Sequence, residues 1–289
     1  MKKALFITSL ICFTISAYAQ KMPDVQTTSL AAPANIRIDG KSTEWNDTYV
    51  AENKRTEVFY SVANDDKNFY LILKSANSSS ANKIMMGGIT FTINTQGKKR
   101  DKDAIAITYP LVVRANRNQG GRNGGGQGRA NGGGQGGGGF QNRQQQSQEQ
   151  RDSTALVMRK TALATVKEIK ISGIKSITDS LISIYNEYGL KAVASFDQKG
   201  AFVYELAIPL SLLELSASDN KEFVYQIKLN GMGNMGFGGN GGGGAFAGGG
   251  RPNGGGFGGG GNNGGGNSNS SQDMMIPTDF WGKYTLIKK

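Results

Sequence analysis

The side chains that carry most enzymatic chemistry are missing from this sequence. It has no histidine, and its one cysteine is Cys12. The first twenty residues have the form of a secretory leader. Lys2 and Lys3 precede the mostly apolar run Ala4 to Ser16, and Ala17-Tyr18-Ala19 supplies a small-x-small cleavage pattern. Cys12 would leave with that leader. A mature chain starting at Gln20 then has no disulfide, thiol nucleophile or thiolate metal ligand. Without histidine it also lacks the commonest general base, the Ser-His and Cys-His pairs, and most zinc, copper and haem sites. Carboxylates, lysine and tyrosine remain, and no spacing among them makes a recognisable catalytic site, so the chain reads as a non-enzyme.

Three motif matches fail on context. Gly231-Met232-Gly233-Asn234-Met235-Gly236 fits G-x-G-x-x-G, but a dinucleotide site needs a helix to begin there, and more glycine follows. Ser80-Ala81-Asn82-Lys83 and Ser172-Gly173-Ile174-Lys175 fit S-x-x-K, and Ser218-Asp219-Asn220 fits S-D-N. The third β-lactamase element has only Lys160-Thr161-Ala162, which lacks the glycine and precedes Ser218. Carboxylates gather at Asp39, Glu44 and Asp47, at Asp65 and Asp66, and at Asp101 and Asp103. Calcium is the cation that loop oxygens of this kind suit, although no EF-hand spacing occurs and turn chemistry explains them as well. The ligands of any metal are not identifiable from the sequence.

Two low-complexity tracts interrupt the chain, residues 115–152 (Gly, Asn, Gln, Arg) and 231–273, richer still in glycine. Neither has the apolar surface to offset its conformational entropy, so both are expected to be disordered. Of the formal net charge of +11, Lys2 and Lys3 would leave with the leader, and the first tract carries +3 (Arg117, Arg122, Arg129, Arg143 and Arg151 against Glu149 and Asp152). The modest excess that remains aids solubility and is no nucleic-acid footprint. No later segment has the run of about 20 apolar residues that a spanning helix needs.

The remaining residues suffice for one core and read mainly as strands. Val58, Tyr60 and Val62 alternate, and Asn64-Asp65-Asp66-Lys67-Asn68 turns the chain into Phe69 to Leu73. Further strands are expected at Ile36 to Ile38, Gly88 to Asn94, Ala104 to Tyr109, Ala155 to Met158, Thr165 to Ile171, Ala192 to Phe196, Ala201 to Ile208, Phe223 to Leu229 and Trp281 to Ile287. Ile177, Leu181, Ile184 or Tyr185, and Tyr188 recur at helical spacing before Gly189, which predicts one short helix. The fold class is therefore all-β: an antiparallel β-sandwich of about ten strands with one helix. The two tracts lie between strands as loops of a single domain spanning residues 20–289.

The order of motifs resembles the family 9 carbohydrate-binding modules and the related DOMON-like sandwiches. The resemblance rests on Ile38-Asp39-Gly40 followed by Glu44-Trp45, on the hairpin Val58 to Leu73, on Gly88 to Asn94, on Tyr204-Glu205-Leu206-Ala207-Ile208-Pro209, and on Trp281-Gly282-Lys283-Tyr284. It covers most of the residues outside the tracts, and it extends to an uncharacterised group of exported bacterial proteins built on that sandwich. It implies a secreted, periplasmic or surface-located module for polysaccharide or another cell-envelope ligand, with structural calcium. In family 9 two tryptophans grip the sugar. Here Trp45 matches the segment where the family's tryptophan is part of the packing, which leaves Trp281 as the stacking candidate. Tyr49, Tyr70 or Tyr284 could form a second aromatic wall. Glu205 falls opposite Phe202 and Tyr204, a position that reads as exposed or lining a cleft, and it joins Trp281 as a candidate ligand contact. The alternative function is an adhesive envelope protein whose glycine tracts make weak multivalent contacts.

Mass spectrometry of the secreted protein should show cleavage after Ala19 with Gln20 at the terminus. An intact Met1 or a lipid on Cys12 would rule out that leader.

Overall fold

The computed structural model describes residues 21–112, 147–232 and 274–288. The leader, most of both glycine tracts and all but the start of the G-x-G-x-x-G match lie outside them. Among the described residues, eleven strands form two antiparallel sheets. The five-stranded sheet runs β1 (Ala51–Asn53), β2 (Val58–Asn64), β3 (Asn68–Ser75), β9 (Phe202–Pro209), β8 (Lys191–Phe196). The six-stranded sheet runs β11 (Thr278–Thr285), β10 (Glu222–Leu229), β4 (Ile89–Asn94), β5 (Ile105–Tyr109), β6 (Glu168–Ser172), β7 (Leu181–Ser183).

Alternation builds the core. Tyr60, Phe69, Tyr204 and Leu206 of one sheet and Phe91, Phe223 and Tyr225 of the other are all fully buried. Phe69 sits 5.2 Å from the Phe223 ring and 6.0 Å from Phe91, and the Tyr60 and Tyr225 hydroxyls meet at 3.2 Å. These are the inner faces of a β-sandwich, as the alternation predicts. The six-stranded sheet takes β4 and β5 from before the first tract, β6, β7 and β10 from between the tracts, and β11 from after the second.

Two helices occur among the described residues, and neither is the expected one. Residues 155–158, read as a strand, belong to α2 (Gln148–Ala164). A capping box between Ser147 and Gln150 starts this helix, and good helix formers fill it. The apolar pair Val157 and Met158 that suggested a strand core is 61% and 66% exposed. The same helix takes residues 148–152 out of the predicted first tract. The helix expected over residues 177–188 is instead a loop with the short strand β7, where Ile182 is buried between exposed Leu181 and Ser183. Helical spacing and a strand bracketed by turns share the same apolar positions there. α1 (Ser78–Gly87) was not legible in the sequence. Its polar start conceals it, although Asn77 caps it by accepting the Ser79 and Ser80 N–H groups. Residues 36–38 form no strand.

A third layer lies outside the five-stranded sheet. Trp45, Tyr49 and Ala32 of the segment leading into β1 pack on the outward residues Ala63, Tyr70, Ile72 and Ala207. Backbone bonds between Ala32 N–H and the Asn64 carbonyl, and between Asn64 N–H and the Leu30 carbonyl, tie this segment down.

β10 and β11 pair in full register from Glu222↔Thr285 to Leu229↔Thr278, and the ends of their connection nearly touch. A Cβ placed on Gly231 would lie 2.6 Å from the Met274 carbonyl oxygen. Replacing residues 233–273 with a short Gly-Ser link should therefore leave the sheet intact. Shortening a flexible loop about tenfold lowers its closure cost by roughly 2 kcal/mol, so the melting temperature should be equal or higher. A variant that fails to fold would mean that the connection itself holds the sheet.

Candidate functional site

Two of the sequence motifs meet: the Asp39-Gly40 turn lies against Glu205 of β9. Glu205 on β9 faces away from the inner core, as its alternation requires, yet it is fully buried. The expectation of an exposed or cleft-lining Glu205 is thus corrected: the Asp39-Gly40 turn covers it. Glu205 Oε2 accepts the backbone N–H groups of Asp39 at 2.9 Å and Gly40 at 2.8 Å. Gly40 has φ +82°, and a Cβ there would stand 3.1 Å from both Val193 Cγ1 and Ser195 Cβ. Glycine meets both demands. Ser195 Oγ completes the clasp by donating to the Gly40 carbonyl at 2.5 Å. Burial pushes the Glu205 pKa up to about 7 against the pull of the two amide bonds, and the neighbouring Asp39 and Glu44 carboxylates add to the rise. Closed in this way, Glu205 has no access to a ligand.

Trp281 is placed quite differently. Phe280, Gly282 and Tyr284 of β11 are buried, so the alternate Trp281 and Lys283 project from the outer face of the six-stranded sheet. The two candidate residues therefore lie on opposite outer faces of the sandwich, and the structure does not bring them together. Trp281 is half-buried beside a shallow cleft of about 460 Å³ lined also by Gln26, Thr27, Lys99, Glu222 and Lys283. Lys283 Nζ and Glu222 Oε1 pair across the strands at 2.8 Å.

Sequence reasoning missed the neighbours of Trp281. Gln226 is its cross-strand partner on β10. The Gln226 amide donates to Asp279 Oδ2 at 2.7 Å, and Asp279 Oδ1 lies 3.8 Å from the Arg55 guanidinium. Gln226 Oε1 is buried with no hydrogen-bond partner among the described residues. An amide, a carboxylate and a guanidinium are thus set on the sheet face that carries the indole. Period-2 alternation puts Gln226 and Asp279 on that face, but only the strand register makes them neighbours.

None of the three tyrosines proposed as a second wall can serve. Tyr284 points inward, its hydroxyl bonded to the Leu30 carbonyl at 2.9 Å. Tyr49 and Tyr70 are buried in the outer layer over the other sheet. The loop carboxylates are engaged locally. Asp65 accepts the Lys67 and Asn68 N–H groups and the Tyr70 hydroxyl, Asp39 pairs with Lys41, and Arg100 pairs with Asp103. Among the described residues no three such groups converge as metal ligands. Ser80, which is buried, donates to Glu57 Oε2, and the exposed Lys175 pairs with Glu214, so both motif residues are engaged in contacts within the fold. No helix among the described residues is long and apolar enough to cross a membrane.

The Glu205 clasp has a pH signature. Its folded pKa lies above the value of 4.5 for a free glutamate, so its contribution is fully present below about pH 4.5 and is lost as pH rises through about 7. Glu205→Gln keeps an acceptor and removes the titration. The difference in unfolding free energy between pH 5 and pH 8 should then shrink by about 3 kcal/mol. Glu205→Ala removes the same titration and leaves two backbone N–H groups without their acceptor, so it should cost about 2–4 kcal/mol at pH 5 and about 3 kcal/mol less at pH 8. Urea titrations at both pH values measure each effect, and equal pH dependence in wild type and Glu205→Gln would exclude a buried titrating carboxylate.

Comparison with protein-family models, with curated proteins and with solved structures returned no match.

Proposed function

We propose that this chain is an exported, non-catalytic carbohydrate-binding module whose ligand contacts Trp281. One observation carries this reading: a partly buried indole stands on a sheet face beside the linked amide, carboxylate and guanidinium of Gln226, Asp279 and Arg55. An indole face suits the apolar C–H face of a sugar ring, and the accessible Asp279 and Arg55 side chains, with Gln226 buried beneath them, suit the hydroxyls around it. The resemblance of the motif order to family 9 modules supports the same reading, as does the absence of histidine from the sequence. With one aromatic wall in place of two, the contact is an open platform, and the expected ligand is a polysaccharide chain lying along the sheet.

A glycan array of the mature protein, run with and without calcium, identifies the ligand. Trp281→Ala should then weaken binding at least tenfold while the circular dichroism spectrum stays unchanged. Undiminished retention of the variant would remove Trp281 from the site, and unfolding of the variant would make it a core residue.

A further inference from the structure

The connection between β4 and β5 is strongly basic. It holds Lys98, Lys99, Arg100 and Lys102 against Asp101 and Asp103, and all six residues are exposed. Its course is fixed by the sheet it leaves. Asn94, fully buried where β4 stops, donates from Nδ2 to the Arg100 carbonyl at 3.3 Å, and its Oδ1 accepts the Gln96 N–H at 3.0 Å. Gly97 N–H bonds the Asn94 carbonyl, and Ala104 N–H bonds the Asp101 carbonyl. Register decides where this loop stands. Asn94 pairs with Val224, and Val224 pairs with Lys283, so the loop leaves the sheet two strands from β11, about 10 Å away. Lys99 spans that gap and lines the same cleft as Trp281 and Lys283.

The cleft beside the indole is therefore positive. Among the described residues that line it, the one carboxylate is Glu222, and Lys283 Nζ already holds that group at 2.8 Å. On the loop, Arg100 takes Asp103 at 3.4 Å. Lys98, Lys99 and Lys102 form no ion pair among the described residues. Four cations on one short loop repel one another, and a bound polyanion relieves that repulsion.

We infer that the polysaccharide is acidic, carrying carboxylate or sulfate groups, an inference that rests on the reading of Trp281 as a sugar platform. A ring stacked on the indole presents its substituents at the ring edge, and Lys99 and Lys283 stand beside the indole. Each ion pair formed there is exposed and weak, so binding needs several of them along one ligand. A repeating acidic chain supplies several. A neutral polysaccharide would use the indole and leave the three lysines unmatched. A polyanion without sugar rings would meet the lysines and leave the indole unused.

Two pairs of polysaccharides test this by calorimetry on the mature protein: polygalacturonate against its fully methyl-esterified form, and dextran sulfate against dextran. Each pair shares one backbone and differs in charge. At least one acidic member should bind about tenfold more tightly than its neutral partner, and more weakly as salt rises. The variant K98Q/K99Q/K102Q should lose about that factor for the acidic glycan and leave the neutral one unchanged, whereas K98R/K99R/K102R should bind both as wild type does. Trp281→Ala should weaken the acidic and the neutral member alike. Polyglutamate should bind more weakly than the acidic glycan, and equally to wild type and Trp281→Ala. Equal binding of charged and neutral partners, or full affinity in K98Q/K99Q/K102Q, would overturn the inference and leave the platform standing. Polyglutamate binding as tightly as the acidic glycan would reduce the loop to an ion exchanger and overturn it too. Retention of none of the four glycans would remove the inference and the sugar platform together.

Discussion

Burying a carboxylate in the middle of a strand is costly, and the outer layer of this fold meets one oxygen of Glu205 while Oε1 stays buried with no partner among the described residues. Glu205 Oε2 takes two backbone N–H groups from the Asp39-Gly40 turn. Those bonds hold the segment leading into β1 against the sheet, and Trp45 and Tyr49 then seal the outward faces of Tyr70, Ile72 and Ala207. The five-stranded sheet is thereby closed on both faces. The six-stranded sheet keeps Trp281, Lys283, Lys170 and Glu168 accessible on its outer face. Layer order thus leaves the outer face of the six-stranded sheet as the accessible one.

The same layering explains what the sequence could and could not reveal. β2, β4, β9 and β10 were legible because alternating large apolar residues have one physical explanation, a face turned toward a core. Glu205 was misplaced because that rule assumes the opposite face of the strand is solvated. A signal against the assumption was available. β9 reads Phe-Val-Tyr-Glu-Leu-Ala-Ile, apolar on both sides of the glutamate, and near-continuous apolar runs belong to strands covered on both faces. β3, Asn-Phe-Tyr-Leu-Ile-Leu, carries the same mark. The covering layer itself has no period to detect, since it is irregular chain held by side chains of residues far away in sequence.

Helices were harder for a different reason. α2 buries only Leu163, so no apolar stripe distinguishes it, and its capping box lies inside what composition assigns to a low-complexity tract. α1 is short and begins with three serines. In both cases local capping sets the start of the helix, and a reading based on hydrophobic period gives such contacts little weight. The candidate site shows a parallel limit. An outward tryptophan could be read from alternation alone, but its partner Gln226 depended on a register set across the second tract.

That register must be set by contacts at the ends of the tract, and the structure has them. Ile89 pairs with both Tyr109 and Leu229, and Leu229 pairs with Thr278, so both tracts leave from the same end of the six-stranded sheet. At that end Asn230 Nδ2 donates to the Gly87 carbonyl at 2.9 Å, and Asn230 N–H bonds the Gly88 carbonyl. A Cβ on Gly87 would lie 1.9 Å from the Gly231 carbonyl oxygen, a closeness that only a bare backbone tolerates. These contacts fix where β10 ends whatever follows it. Closure entropy rises only logarithmically with loop length, so once the exit is pinned the fold is nearly indifferent to how much glycine is inserted there. Long insertions at this end of the sheet thus leave the pairing of Trp281 with Gln226 unchanged.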